Sequence, residues 1–153
     1  MENKNTTYNL GIIQGKAYRI LQNHLSNALK PYGLSIPEWK LLGQLCDYGE
    51  MKAAVIANNL DIDAPLVTVL VKNLDEKGFL KRKQNKEDKR AVIIKATEKT
   101  IQLILELETK VRFEIKQVFA GVTSEEMATY IKVLGIMVKQ GKAFMVKKNY
   151  LIE

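Results

Sequence analysis

"LVTVLVKNLDEKGFLKRKQNKEDKRAVIIKATE", residues 66–98, is the stretch whose reading decides the fold. Val67, Leu70, Val71 and Leu74 recur at the spacing of one helical face. The opposite face carries Pro65, Thr68, Val69, Lys72 and Asn73. Gly78 is a left-handed terminator for that helix. The pattern then changes: residues 79–83 and 91–95 read as short strands joined by the polar run 84–90, and Thr97 reopens a helix. Within the polar run, Lys86 to Arg90 are all charged and of both signs. A solvated turn needs only a few polar residues, so this hairpin tip requires a further explanation.

Upstream, Asp63 can cap the helix, with Pro65 tolerated in its first turn. Residues 53–60 form another short helix with Ile56, Ala57 and Leu60 inward, and the connection 61–63 is short enough for a helix-turn-helix. Ser35-Ile36-Pro37-Glu38 is a capping box that opens a helix with Trp39, Leu41, Leu42, Leu45 and Cys46 on its apolar face, closed by Gly49. Residues 8–30 carry apolar side chains at three-and-four spacing, which indicates a long amphipathic helix ended by Pro31 and Gly33. Downstream, Ile101 to Phe119 keep helical spacing, and Thr123 to Glu126 form a second capping box before a last helix. The expected fold is mainly α with a small β-hairpin wing. A winged helix-turn-helix occupies 35–96, and helices in 1–34 and 97–153 form a dimerisation region. The competing reading makes the fourth helix an ordinary bundle helix buried on both sides.

A chain of 153 residues fits one domain, or one domain with an appended oligomerisation element. Hydrophobic content of 46% argues against disorder. The formal charge is +7, and residues 72–95 alone hold nine basic and four acidic side chains. The basicity therefore surrounds the hairpin. Most charge runs are solvated surface, but concentration on one hairpin favours a phosphate-binding surface. The opening MENKNTT has no apolar core of a leader, and the longest unbroken apolar run, 53–57, is far too short to span a bilayer. With a single cysteine, Cys46, no intramolecular disulfide forms, and a cytoplasmic protein without a membrane partner is expected.

The block 66–98 resembles the signature of the MarR family of bacterial transcriptional regulators. The matching positions are Thr68, Leu74, Lys77, Gly78, Leu80, Arg82, Asp88, Arg90 and Thr97. "SIPEWKLLGQL", residues 35–45, is similar to the family's second helix, including an aromatic at Trp39. Taken singly none of these matches is specific; the ordered set is. The long helices at both ends match the family's dimerisation elements, so the resemblance covers nearly the whole chain.

The resemblance implies a homodimer that reads double-stranded DNA at a pseudo-palindromic operator, acting as a repressor. Its two recognition helices would sit about one duplex turn apart, roughly 34 Å. The wing arginine, Arg90, would enter the minor groove, where narrow A·T-rich DNA has enhanced negative potential. Asp88, two residues away in an extended segment, projects to the same side and can brace it. The bland alternative is a surface ion pair of little value. Arg82, Lys83, Lys86 and Lys89 would supply sequence-blind phosphate attraction, and Ser35 stands at a helix start expected at the DNA. Val69 departs from the family, many of whose members carry arginine there. Guanine readout from that position is disfavoured, and an A·T-rich or shape-read operator is expected, since a thymine methyl accepts apolar contact. Ala96 and Thr100 stand where leucine and glycine are common. The family's effectors imply a small phenolic or carboxylate ligand where the dimer region meets the DNA-binding lobe. Tyr18, Arg19, Trp39 and Phe113 are the candidate lining, with Arg19 as carboxylate partner; Trp39 and Phe113 are otherwise core residues.

Other chemistry is not legible. His24 and Cys46 are the single histidine and cysteine, so no His/Cys metal cluster forms within a subunit. His24 is expected on a helix face at the dimer interface, and Cys46 as a buried thiol. Gly11 and Gly15 fall inside a helix pattern and make no phosphate-cradling loop. No catalytic triad, cofactor or metal is expected, and the chain does not read as an enzyme. The alternative function is a winged-helix protein-interaction module, binding through the apolar outer face of the fourth helix, with weak or lost DNA binding.

Overall fold

The computed structural model describes residues 7–85 and 92–149, with side chains to Met145. The chain divides into two compact units that meet in sequence at Val118 and Phe119. The first opens with α1 (Thr7–Leu29) and a 3-10 turn (Lys30–Tyr32), and continues through α2 (Ile36–Tyr48), β1 (Met51–Lys52), α3 (Ala53–Leu60) and α4 (Ala64–Glu76). The hairpin strands β2 (Leu80–Gln84) and β3 (Val92–Ala96) follow, and α5 (Glu98–Val118) closes the unit. The second unit contains α6 (Ser124–Asn149).

Local chemistry sets the helix boundaries. Gly33 ends the 3-10 turn at φ 64°, a left-handed conformation that costs glycine nothing. The Ser35 hydroxyl accepts from Glu38 N–H at 3.3 Å while the Glu38 carboxylate accepts from Ser35 N–H at 2.8 Å, so the expected capping box is present. Asp63 accepts from Leu66 N–H at 2.8 Å and starts α4. At the other end of α4, Gly78 N–H bonds Asp75 C=O and Phe79 N–H bonds Leu74 C=O, with Gly78 at φ 74°. In the second unit Thr123 and Glu126 form the other capping box, with Glu126 N–H donating to the Thr123 hydroxyl at 3.2 Å.

One core holds the first unit together. Leu25 and Leu29 of α1, Leu41 and Leu42 of α2, Ile56 of α3, Leu74 of α4, Leu80 and Ile94 of the hairpin, and Leu107 and Val111 of α5 are all buried in it. Each such leucine or isoleucine contributes about 1.5–3 kcal/mol relative to exposure. The core runs through 34 and 96 without interruption. In α4 the buried residues are Val67, Leu70, Val71 and Leu74, as the spacing indicated, while Pro65, Thr68, Val69 and Lys72 are exposed. The helix is therefore not buried on both sides.

The sheet holds a strand that periodicity did not reveal. β1 pairs antiparallel with β3 through Met51↔Ile94 and Lys52↔Ile93, giving the order β1-β3-β2. Two residues are too few for alternation to register, and the strand forms because Met51 is buried while Lys52 points out. β2 begins one residue later than expected, and β3 is described from Val92 to Ala96, one residue further than expected at its end. Phe79 is not in the strand: its N–H is engaged in the helix stop before it. Leu80 is buried and the rest of β2 is exposed, so the strand leaves the core as it runs outward.

Among the described residues no single helix is long and apolar enough to cross a membrane. None of the described side chains of α6 is buried; Tyr130, Ile131, Val133, Ile136, Met137, Val138, Phe144 and Met145 are exposed. The N-terminal part of α1 is similarly uncovered at Tyr8, Leu10, Ile12, Ile13, Tyr18 and Ile20.

Candidate nucleic-acid interface

Helices α3 and α4 are separated by Asp61, Ile62 and Asp63 and are bent by 113° at that break. Asp61 adopts φ 56°, and Ile62 N–H reaches back to Ala57 C=O at 3.1 Å. A three-residue turn between helices at about 90–120° is the helix-turn-helix geometry. Its second helix, α4, buries one face and presents the other, with a basic two-stranded hairpin directly after it. A winged helix-turn-helix is thereby complete.

A model of the MarR family matches residues 34–92. Residues 34–92 are thus similar to the DNA-binding segment of the MarR family. The chain is similar to two Bacillus subtilis relatives. One is the uncharacterized helix-turn-helix-type regulator YwoH, 28% identical over 80% of this chain and 88% of that one. The other is the helix-turn-helix-type regulator MhqR, 26% identical over 86% and 92%. Among solved structures it resembles a mutant MarR from E. coli complexed with operator DNA, with TM-score 0.79 at 20% identity, covering 90% of this chain and 99% of that one. It also resembles BpsR of Bordetella bronchiseptica, whose DNA binding is regulated by 6-hydroxynicotinic acid, with TM-score 0.77 at 18% identity, covering 85% and 98%. At these identities the structural likeness establishes the MarR fold.

On this MarR scaffold the outward face of α4 is mostly apolar. Leu66 and Val69 are exposed, Pro65 sits between them and the helix cap, and Asn73 is half-buried. The Thr68 hydroxyl donates to Ala64 C=O at 3.0 Å, within its own helix. Lys72 is exposed with Glu76 at 3.9 Å. Leu66 belongs to this face although its neighbour Val67 is core, a distinction that only the helix's orientation supplies.

The base of the wing is braced to α4. Arg82 reaches Asp75 through Nε and Nη2, both at 2.7 Å, with Asp75 mostly shielded. Arg82 thus has a protein partner as well as access to solvent. Opposite charges on either side of a glycine turn are the sequence signal for such a pair, because the turn reverses the chain. Lys81, Lys83 and Lys95 are exposed on the strands. Lys86, Asp88, Lys89 and Arg90 lie outside the described residues.

Ser35 is exposed, with its hydroxyl in the capping box. Behind it Glu38 is buried, an outcome that sequence spacing did not reveal. Lys77, which caps the C-terminus of α4, places Nζ 2.8 Å from the Glu38 carboxylate and 2.8 Å from Gly33 C=O. Burial pushes the Glu38 carboxyl up, but the Lys77 ammonium and the Ser35 amide and hydroxyl outweigh it and hold it below the ordinary value.

The four candidate effector residues are not brought together. Phe113 is exposed, not core, and lines a cavity of about 420 Å³ with Asn27, Pro31, Tyr32, Lys110 and Glu114. Lys110 contacts the Tyr32 hydroxyl and lies over its ring, 4.8 Å from the centroid. The Tyr32 hydroxyl, then Glu106, pushes the Lys110 ammonium up. Trp39 is half-buried and lines a separate cavity of about 530 Å³ between α2 and α5. Tyr18 and Arg19, exposed on α1, line neither. His24 bonds Glu114 at 3.0 Å, an interaction within the chain between α1 and α5. Cys46 is half-buried, and burial, then the Asp47 charge, pushes its thiol up, away from the reactive thiolate.

Proposed function

We propose that this chain is a MarR-family transcriptional regulator and not an enzyme, a homodimeric repressor that reads a pseudo-palindromic operator in double-stranded DNA. The observation that carries the reading is the exposed face of α4, Pro65, Thr68, Val69 and Lys72, beside a hairpin bearing Lys81, Lys83 and Lys95 on its surface. Such a helix is shaped for the major groove, and the lysines for flanking phosphates. The similar E. coli MarR structure complexed with operator DNA supports the same use of the fold here. Arg82, Lys83, Lys86 and Lys89 would serve the phosphates, and Ser35 stands at the start of α2. Arg90, with Asp88 as its expected brace, would take the minor groove.

Dimerisation accounts for the apolar side chains left uncovered on α1 and α6. A two-fold interface over 1–34 and 97–153 would bury them and fix two copies of the 35–96 domain about one duplex turn apart, roughly 34 Å. An effector then acts only by binding one spacing of the two domains better than the other. BpsR, with its 6-hydroxynicotinic acid, supports a small aromatic acid in that role. The cavities lined by Phe113 and Trp39 are the places for it, and Tyr18 and Arg19 would join them only through a partner copy.

Selection of bound fragments from random duplex DNA tests this reading. An enriched half-site repeated in inverted orientation about one turn away is expected. Absence of any enriched sequence would favour the protein-interaction reading, for which the apolar Leu66 and Val69 are the motivating feature.

A further inference from the structure

The first two turns of the reading face of α4 lack groups that donate to a base edge; Lys72 and the half-buried Asn73 follow only in the next turn. Across its first two turns the outward positions are Pro65, Leu66, Thr68 and Val69, with Leu66 39% and Val69 53% exposed. Thr68 is the one polar residue among them, and its hydroxyl hydrogen is spent on Ala64 C=O at 3.0 Å. What this stretch presents is therefore methyl and ring carbon, with the Thr68 oxygen left able only to accept. In the major groove the one apolar group that projects from a base edge is the thymine 5-methyl; apart from the small cytosine C5–H, the other features are hydrogen-bond donors or acceptors. Charge selects a duplex as occupant over an apolar protein surface. Lys72 flanks the patch in the next turn, and Lys81, Lys83 and Lys95 are exposed on the hairpin that follows.

We infer that Val69 and the Thr68 methyl, flanked by Leu66, recognise 5-methyl groups on pyrimidines in the operator. The recognised unit is the methyl and not the A·T pair as such. Arg90 in the minor groove would sense A·T content and groove width; α4 senses methyls from the other side of the same base pairs. This inference rests on the DNA-reading function proposed above and deepens it. It also implies that 5-methylcytosine is read in preference to cytosine at the same position.

The test uses the full-length chain and a duplex enriched from a random pool. Each thymine in one half-site is replaced in turn by uracil, which deletes the methyl and leaves charge, pairing and minor-groove edge unchanged. Uracil at the contacted position is expected to weaken binding about fourfold, the worth of one buried methyl group. Placing cytosine and then 5-methylcytosine there should recover a similar factor on methylation. In Val69→Ala, or in Thr68→Ser, the thymine-to-uracil ratio should fall towards one. Both residues are exposed, so thermal melting is expected to be unchanged and folding does not confuse the outcome. Equal binding of thymine and uracil duplexes by the unaltered protein overturns the methyl inference while leaving DNA reading intact. Full discrimination retained in both variants overturns its assignment to this face. Failure to enrich any duplex overturns the DNA-reading function itself, and this inference with it.

Discussion

The Lys77 ammonium lies 2.8 Å from both the buried Glu38 carboxylate and the Gly33 carbonyl, so one side chain ties the end of α4 to the start of α2 and to the turn after α1. Removing it leaves a shielded carboxylate with only its Ser35 bonds. Lys77→Met is expected to cost about 2 kcal/mol by urea denaturation near neutral pH. A change within error would mean that the contact is incidental.

The same carboxylate sets an acid limb. Its folded value is depressed below the ordinary 4.5, so its contribution is present above the unfolded value and is lost as pH falls through the folded one. Stability should therefore decline as the pH drops below about 4.5. Glu38→Gln should start less stable near neutrality and lose less over that acid range, a comparison open to denaturation at a series of pH values. Parallel pH profiles would contradict it.

Thr100 is fully buried, and its hydroxyl donates to Phe79 C=O at 2.6 Å, joining the start of α5 to the entry of β2. Thr100→Val keeps the shape and deletes the donor. A loss of about 1 kcal/mol is expected, softened because Thr97 N–H also reaches the Phe79 carbonyl, at 3.2 Å. Increased stability would show that the hydroxyl is a burden and not a tie.

The uncovered apolar side chains give a test of assembly. Ile13 and Ile131 are 67% and 62% exposed. The chain should sediment as a dimer, and Ile13→Glu or Ile131→Glu should weaken association more than about tenfold, given about 1.5–3 kcal/mol for one buried large apolar side chain. Helical circular dichroism should be retained. A monomeric unaltered chain would remove the basis for a pseudo-palindromic operator.

Arg90→Ala should weaken operator binding in a gel shift by at least about tenfold, as for loss of a charge-assisted contact of roughly 1.5–3 kcal/mol, without altering the dimer. An unchanged shift would count against minor-groove insertion.

Local rules made most of the architecture legible. Ser35 with Glu38, Asp63 before Pro65 and Gly78 after Lys77 each act within a few residues, so the caps and stops of α2 and α4 could be read directly. What escaped was non-local or too short. Lys77 and Glu38 are 39 residues apart, and no spacing rule joins them. β1 is two residues long and exists because β3 lies beside it. Thr100 departs from the residue common in the family, and its partner Phe79 is 21 residues away. The outward placement of Thr68, Val69 and Lys72 on α4 was legible from helical spacing. Leu66 required the actual orientation of α4. The effector residues failed to converge because Tyr18 and Arg19 are on the uncovered part of α1, Trp39 on α2 and Phe113 on α5, where sequence carries no distance information.

The central claim is that this surface neutralises duplex phosphates while α4 reads the groove. Equilibrium binding of the full chain to its enriched duplex, measured across a salt series, tests that most directly. The logarithm of affinity should fall linearly with the logarithm of salt, at about −0.9 per phosphate and near −5 or steeper for a dimer with several contacts in each half. A slope near zero would contradict the account and leave a surface that holds its partner by apolar contact alone.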